Sequence, residues 1–203
     1  MIRLSDHIAA AGGWLSLEAF MQLALHHPQE GYYSSSIENI GQRGDFSTTP
    51  TLSPILAKAI IAHWKEACSR CGRRLPLLEI GAGSGALAVK ILERLGFWNR
   101  LNTDYVIVES SPRLREFQHL LLGGRAKIYS TMEKALKHCG GKAFIFSNEL
   151  VDAFPARVFE YTEQDWKEVG LVVKNGAVRE ELRPVRQQPL FSHMLEYGSQ
   201  PGQ

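Results

Sequence analysis

Three glycines at alternate positions, Gly81, Gly83 and Gly85, stand directly after the apolar run Leu77-Leu78-Glu79-Ile80, inside the stretch LPLLEIGAGSGAL from Leu75 to Leu87. An apolar run that short, bounded by glycine, reads as a buried strand that breaks into a tight turn. Beyond it Leu87, Ile91, Leu92 and Leu95 recur at helical spacing, so the unit is strand, glycine turn, helix. A turn without Cβ atoms bends sharply and lets a ligand approach bare backbone. Its N–H groups lie beside the positive end of the next helix, which suits a nucleotide-like ligand.

The spacing narrows that ligand. The pattern is G-x-G-x-G with Glu79 before it, whereas dinucleotide binders use G-x-G-x-x-G. A carboxylate beside the turn repels a pyrophosphate and attracts a cationic or hydrogen-bond-donating group such as the ammonium of an amino acid. A second apolar run, Tyr105-Val106-Ile107-Val108, ends in Glu109, 28 positions beyond Gly81 and placed to accept from two ribose hydroxyls. The two acids describe a nucleoside carrying an amino-acid tail, and S-adenosylmethionine fits. Glu79 with the three glycines and Glu109 resembles the class I methyltransferase signature.

With 203 residues, 44% of them hydrophobic, the chain can bury one ordinary core and a small appended subdomain. Its charges are interspersed and sum to +2, so neither nucleic acid nor a membrane surface is an expected partner. Cys68 and Cys71 form one C-x-x-C pair, and Cys139 is the third cysteine. No second pair or histidine cluster joins them, so they read as structural or incidental and no metal site is expected. No charged segment followed by an apolar one opens the chain, and no apolar run of about 18 residues occurs, which argues against secretion and membrane spanning. The expected location is the cytoplasm in a bacterium, or the mitochondrial matrix in a eukaryote.

Two short helices are expected before residue 30, broken at Gly12-Gly13, with Ser16 capping the second. A long polar segment from Gly31 to Pro54 follows, dense in turn formers and long enough to suggest function. A helix then starts with Ser53 as cap and Pro54 as first residue. After the glycine turn the alternation continues with a helix at about 111–122, a strand at 126–129, a helix at 132–138 and a strand at 143–146. This predicts an α/β fold with a parallel sheet and the ligand at the strands' C-terminal rim, where Glu79, Glu109 and Asn148-Glu149 converge. Beyond residue 158 the pattern alternates as a β-meander, with Asn175-Gly176 as a hairpin turn. The chain thus divides into an N-terminal helical segment with a cofactor-covering loop (1–74), an S-adenosylmethionine-binding core (75–157), the meander (158–186) and a fraying tail (187–203).

Five blocks occur in order: Gly31-Tyr32-Tyr33; Gly44-Asp45-Phe46-Ser47-Thr48-Thr49-Pro50 after Gly41; the Glu79 glycine motif; Val108-Glu109-x-Ser111-Pro112-x-Leu114-Arg115-x-x-Gln118; and Asn148-Glu149-x-x-Asp152-Ala153-Phe154-Pro155. Together they resemble the MidA family of S-adenosylmethionine-dependent methyltransferases, relatives of an arginine methyltransferase of mitochondrial complex I assembly. The resemblance implies a class I, Rossmann-like methyltransferase acting on protein arginine. It gives the methionine tail to the backbone of Gly81, Gly83 and Gly85, and the ribose to Glu109. Asp45 and Thr48 would cover the cofactor, and Asn148 or Glu149 would lie beside the sulfonium and acceptor. Glu149 and Asp152 are candidate carboxylates to guide an arginine nucleophile. Asp45 and Thr48 are equally ordinary turn formers, Asn148 an ordinary cap and Asp152 an ordinary solvated helix-start residue. Members of the family are considerably longer, so the sheet is expected to be incomplete, with an edge that invites a partner or a missing C-terminal half. The alternative function is a non-catalytic S-adenosylmethionine-binding or assembly protein.

Overall fold

A computed structural model describes residues 3–33, 54–96, 102–162 and 165–185. They fall into two compact units, residues 33–152 and residues 1–32 with 153–203.

In the first unit, helix α3 (Ile55–Arg70) buries Ala57, Ile61 and Trp64, residues that share one helical face. The indole Nε1 of Trp64 donates to the Leu75 carbonyl at 2.8 Å, which satisfies the one polar atom of a fully buried ring. Pro54 is the cap rather than the first helical residue, so the helix starts one residue later than expected, and Pro54 makes no side-chain cap bond; Ser53 lies outside the described residues. Strand β2 (Leu77–Ile80) leads into helix α4 (Ala86–Arg94), which buries Leu87, Ala88, Ile91 and Leu92. Strand β3 (Tyr105–Val108) is followed by helix α5 (Pro112–Leu122). There the Ser111 Oγ accepts from Leu114 N, proline takes the first position and Gly123 ends the helix at φ 55°. Strand β4 (Lys127–Tyr129), helix α6 (Met132–His138) and strand β5 (Phe144–Ser147) complete the alternation.

The sheet order is β4-β3-β2-β5, all parallel. Leu77 and Leu78 of the central strand are fully buried from opposite faces. Leu77 joins the cluster of Ile61, Trp64, Ile91 and Tyr105, and Leu78 joins that of Val106 and Ala135. Among the described residues β5 pairs only with β2. Ile145 is 47% exposed, and Phe144 and Phe146 line a groove of about 380 Å³ with Ile60 and Ala67, bordered by His63, Glu66 and Arg70. No helix among the described residues is long and apolar enough to cross a membrane.

In the second unit, strands β6 (Phe159–Thr162), β7 (Asp165–Lys174) and β8 (Ala177–Pro184) form the expected antiparallel meander. Asn175 and Gly176 both have positive φ, 53° and 73°, as the tight hairpin requires. Helices α1 (Leu4–Ala10) and α2 (Leu17–His26) lie where the sequence places them, and the Ser16 Oγ caps α2 by accepting from Ala19 N at 3.1 Å. Between them Leu15 and Ser16 form strand β1, which pairs with Leu171 and Gly170 of β7. Ile8, Leu15 and Leu171 make a shared core. The N-terminal helices therefore belong with the meander, and α3 belongs with the parallel sheet, so the sequence division at residue 74 does not match the way the chain groups in space.

Replacing Trp64 by Phe leaves the Leu75 carbonyl without its donor and should cost about 1–3 kcal/mol in urea denaturation. A loss below about 0.5 kcal/mol would show that the indole bond contributes little to the fold.

Candidate functional site

The parallel register makes Ile80, Val108 and Ser147 direct neighbours. The chain therefore leaves β2, β3 and β5 at one level, and Gly81, Glu109 and Asn148 stand side by side at the rim. The backbone there is interlocked, with Gly81 N donating to the Val108 carbonyl at 2.8 Å and Glu109 N to the Tyr129 carbonyl at 2.9 Å.

Gly81, Gly83 and Gly85 all adopt positive φ, at 68°, 53° and 72°. At Gly81 a Cβ would also stand 2.6 Å from Leu150 Cδ1, so the turn is closed to larger residues by geometry and by contact. Gly85 caps α4, and its own N–H donates to the Ala82 carbonyl at 2.8 Å.

Glu79 is 2% exposed and accepts a 2.7 Å hydrogen bond from the Tyr105 hydroxyl. Burial pushes its carboxyl up to about 7; the Tyr105 bond opposes that rise, and the nearby Glu109 adds to it. The acid the sequence placed beside an open turn thus lies in the interior beneath it. Burial likewise raises the Tyr105 hydroxyl.

Glu109, 6% exposed, is held from several directions. Ser111 N donates to Oε1 at 3.0 Å and Gln118 Nε2 to Oε2 at 3.5 Å. Burial raises its pKa, and bonds from Ser111, Gln118 and the Gly83 N–H, with the charge of Arg115, pull it back in part. Arg115 Nη1 donates to the Glu109 and Ser110 carbonyls at 2.9 and 2.7 Å, which fixes the strand exit.

Asn148 is half-buried and Glu149 exposed, and Glu149 holds a left-handed backbone at φ 49°, a conformation that costs a non-glycine residue energy. Asp152 is exposed in a 3₁₀ turn, Val151–Ala153. The charges of Asp152 and Glu109 both raise the Tyr33 hydroxyl after burial itself, which places Tyr33 among them, and the Tyr33 carbonyl accepts from Ser111 Oγ at 3.1 Å. Asp45 and Thr48 lie outside the described residues. Sequence reasoning assigned no site role to Tyr33, Tyr105, Leu150 or Gln118. Tyr33 and Gln118 lay within quoted motifs, whereas nothing in the pattern marked Tyr105 as the partner of Glu79.

A parallel sheet whose strands alternate with helices and whose carboxyl rim carries a glycine turn is the architecture of a class I S-adenosylmethionine-dependent methyltransferase fold. Residues 55–203 match the Methyltransf_28 family of S-adenosyl-L-methionine-dependent methyltransferases, and the chain belongs to that MidA-like family. S-adenosylmethionine, the expected cofactor, is the family's cofactor.

Over 98% of its length the chain superimposes, with a TM-score of 0.78 and 28% identity, on 53% of a COG1565 superfamily member from Burkholderia thailandensis bound to S-adenosyl-homocysteine. A protein named as the mitochondrial protein arginine methyltransferase NDUFAF7 of Xenopus tropicalis is 27% identical over 81% of this chain and 44% of its own length. The human protein of that name is 25% identical over 83% and 44%. The chain spans about half the length of the curated relatives it matches.

The raised Glu79 pKa has a stability signature. Its folded value, about 7, exceeds the ordinary carboxyl value of 4.5. Its stabilising contribution is therefore full below about pH 4.5 and is lost as pH rises through about 7. Glu79→Gln keeps an acceptor for Tyr105 and cannot ionise. Its stability relative to the parent should rise by on the order of 3 kcal/mol between pH 5 and pH 8 in urea titrations. A difference that stays flat with pH would show that Glu79 ionises as freely folded as unfolded.

Proposed function

We propose that this chain forms the methyl-donor half of a protein arginine methyltransferase. The observation that carries this reading is the pair of buried acids flanking a bare glycine turn at the ends of adjacent parallel strands. Burial raises both carboxyls and Glu109 raises Glu79 further, so a cation entering there offsets the cost of their charge while a pyrophosphate adds repulsion. A ligand with an ammonium and a ribose diol fits that charge pattern. When bound, S-adenosylmethionine supplies an electrophilic methyl group.

The chain's own residues then have distinct work. The Gly81 to Gly85 backbone receives the amino-acid tail and Glu109, already oriented by Ser111 and Gln118, accepts from the ribose hydroxyls. Glu79 neutralises the ammonium from beneath the turn, and Asp45 and Thr48 carry the cofactor-binding role that the family resemblance assigns to them. Asn148 borders the methyl position. Glu149 and Asp152 orient a guanidinium so that one nitrogen faces that position in a near-attack geometry. The named relatives support arginine as the acceptor.

Isothermal titration should give binding of S-adenosylhomocysteine and none of NAD, and Glu109→Ala should weaken the former tenfold or more. Tighter binding of NAD, or an unchanged affinity in Glu109→Ala, would refute the donor-site reading.

A second reading, donor binding without turnover, is favoured by one observation. The β5 edge, with Ile145 exposed and an apolar groove beside Phe144 and Phe146, fits a further strand and helix contributed by additional polypeptide. Loss of a positioning wall costs on the order of 100-fold in rate with the donor site intact. Tritiated methyl incorporation into a cell extract should accordingly be weak for the 203 residues alone, and should rise when the polypeptide that the longer relatives carry in addition is supplied. Robust arginine dimethylation by the 203 residues alone would place the acceptor site within them.

A further inference from the structure

Gln118 is an anomaly of the α5 face. That helix buries Leu114, Gln118 and Leu122 at one spacing, and the middle residue, 0% exposed, is a carboxamide where a leucine would pack. Burying an amide is unfavourable unless its hydrogen bonds are made. Its Nε2 donates to the Gly83 carbonyl at 2.9 Å and, at a longer 3.5 Å, to Glu109 Oε2. Both acceptors face the nitrogen, so the amide can take only this orientation. Oε1 is buried without a partner among the described residues, so the position tolerates an unmet acceptor in order to keep its two donors in place.

The three groups close a ring. Gly83 N–H bonds the Glu109 carboxylate, the Gly83 carbonyl takes Gln118, and Gln118 reaches Glu109. The side-chain Cγ of Gln118 also lies 3.6 Å from where a Cβ on Gly85 would stand. One side chain therefore touches the turn after β2 and the acid after β3, which belong to different loops.

We propose that Gln118 is a positioning residue of the donor site, holding the Gly83 peptide and the Glu109 carboxylate in the relative placement that lets the turn and the acid grip one nucleoside together. It rests on the reading of Glu109 and the glycine turn as that site. Gln118 acts through Glu109 and Gly83 rather than on the reacting atoms. Its effect on affinity should therefore depend on Glu109, whereas a residue that merely fills the core would act independently of it.

The test is a double-mutant cycle in the full chain, with S-adenosylhomocysteine affinity read by calorimetry and folding by thermal unfolding. Gln118→Met keeps length and packing and removes both donors. It should weaken binding tenfold or more while the melting temperature of the ligand-free chain holds or rises. In a Glu109→Gln background the same substitution should weaken binding by less than threefold. Equal losses in the two backgrounds, or unchanged affinity in Gln118→Met, would overturn the proposal while leaving the donor site standing. If Glu109→Gln alone binds as the parent does, the donor-site reading itself falls. Should Gln118→Met fail to fold, Gln118→Asn, which keeps the amide one methylene short, should show the same loss. If neither variant folds, Gln118 serves the fold and the proposal is wrong.

Discussion

Strand β2 is hydrogen-bonded in parallel to β3 on one side and to β5 on the other, and the site depends on that double pairing. Parallel strands in register end at the same height, so three loops far apart in sequence open onto one rim. A shift of one residue between β2 and β3 would turn Glu79 to the opposite face of the sheet from Tyr105 and would move Glu109 along the rim relative to Gly81, and one between β2 and β5 would displace Asn148 from Gly81. Both faces of β2 are closed by apolar clusters, and Glu79, whose hydrogen-bond donor Tyr105 lies on only one of them, distinguishes this register from the flipped one. The core thus secures the placement of groups that take no part in it.

That placement brings two carboxylates into one poorly solvated region. Ionised acids are expensive there, and the surroundings answer with partial measures. Tyr105 donates to Glu79, while Ser111, Gln118 and Gly83 donate to Glu109. The donors orient the acids without cancelling their burial, since both pKa values stay raised. In the proposed donor site, acids left short of positive charge in this way would favour a ligand that brings its own. The same bonds leave each carboxylate in a defined rotamer, which lowers the ordering cost of binding.

Exposure within the parallel sheet is uneven. The central strands are sealed, whereas β5 keeps Ile145 open and its phenylalanines border a groove. A parallel sheet gains stability by covering both faces and both edges with apolar groups. In the second unit the meander answers the same need, with Leu15 and Ile8 packed on Leu171 and with Arg157 making a bidentate pair to Glu168 at 2.8 and 2.7 Å.

Local chemistry made much of this visible without coordinates. Alternate glycines, the serine cap at Ser16 and the Asn175-Gly176 turn act over a few residues, and so they read directly from the sequence. The class of fold, the strand ends bearing Glu79, Glu109 and Asn148, and the cofactor followed from that local order. Strand β1 did not, because two residues show no alternation and exist as a strand only through Leu171 and Gly170. Nor did the joining of the N-terminal helices with the meander, since that grouping brings together residues more than 120 positions apart in sequence. The environment of Glu79 was likewise invisible. A carboxylate after an apolar run looks the same in sequence whether it meets solvent or a buried tyrosine, and only the packing of β3 against β2 decides that its proton is held up to about pH 7.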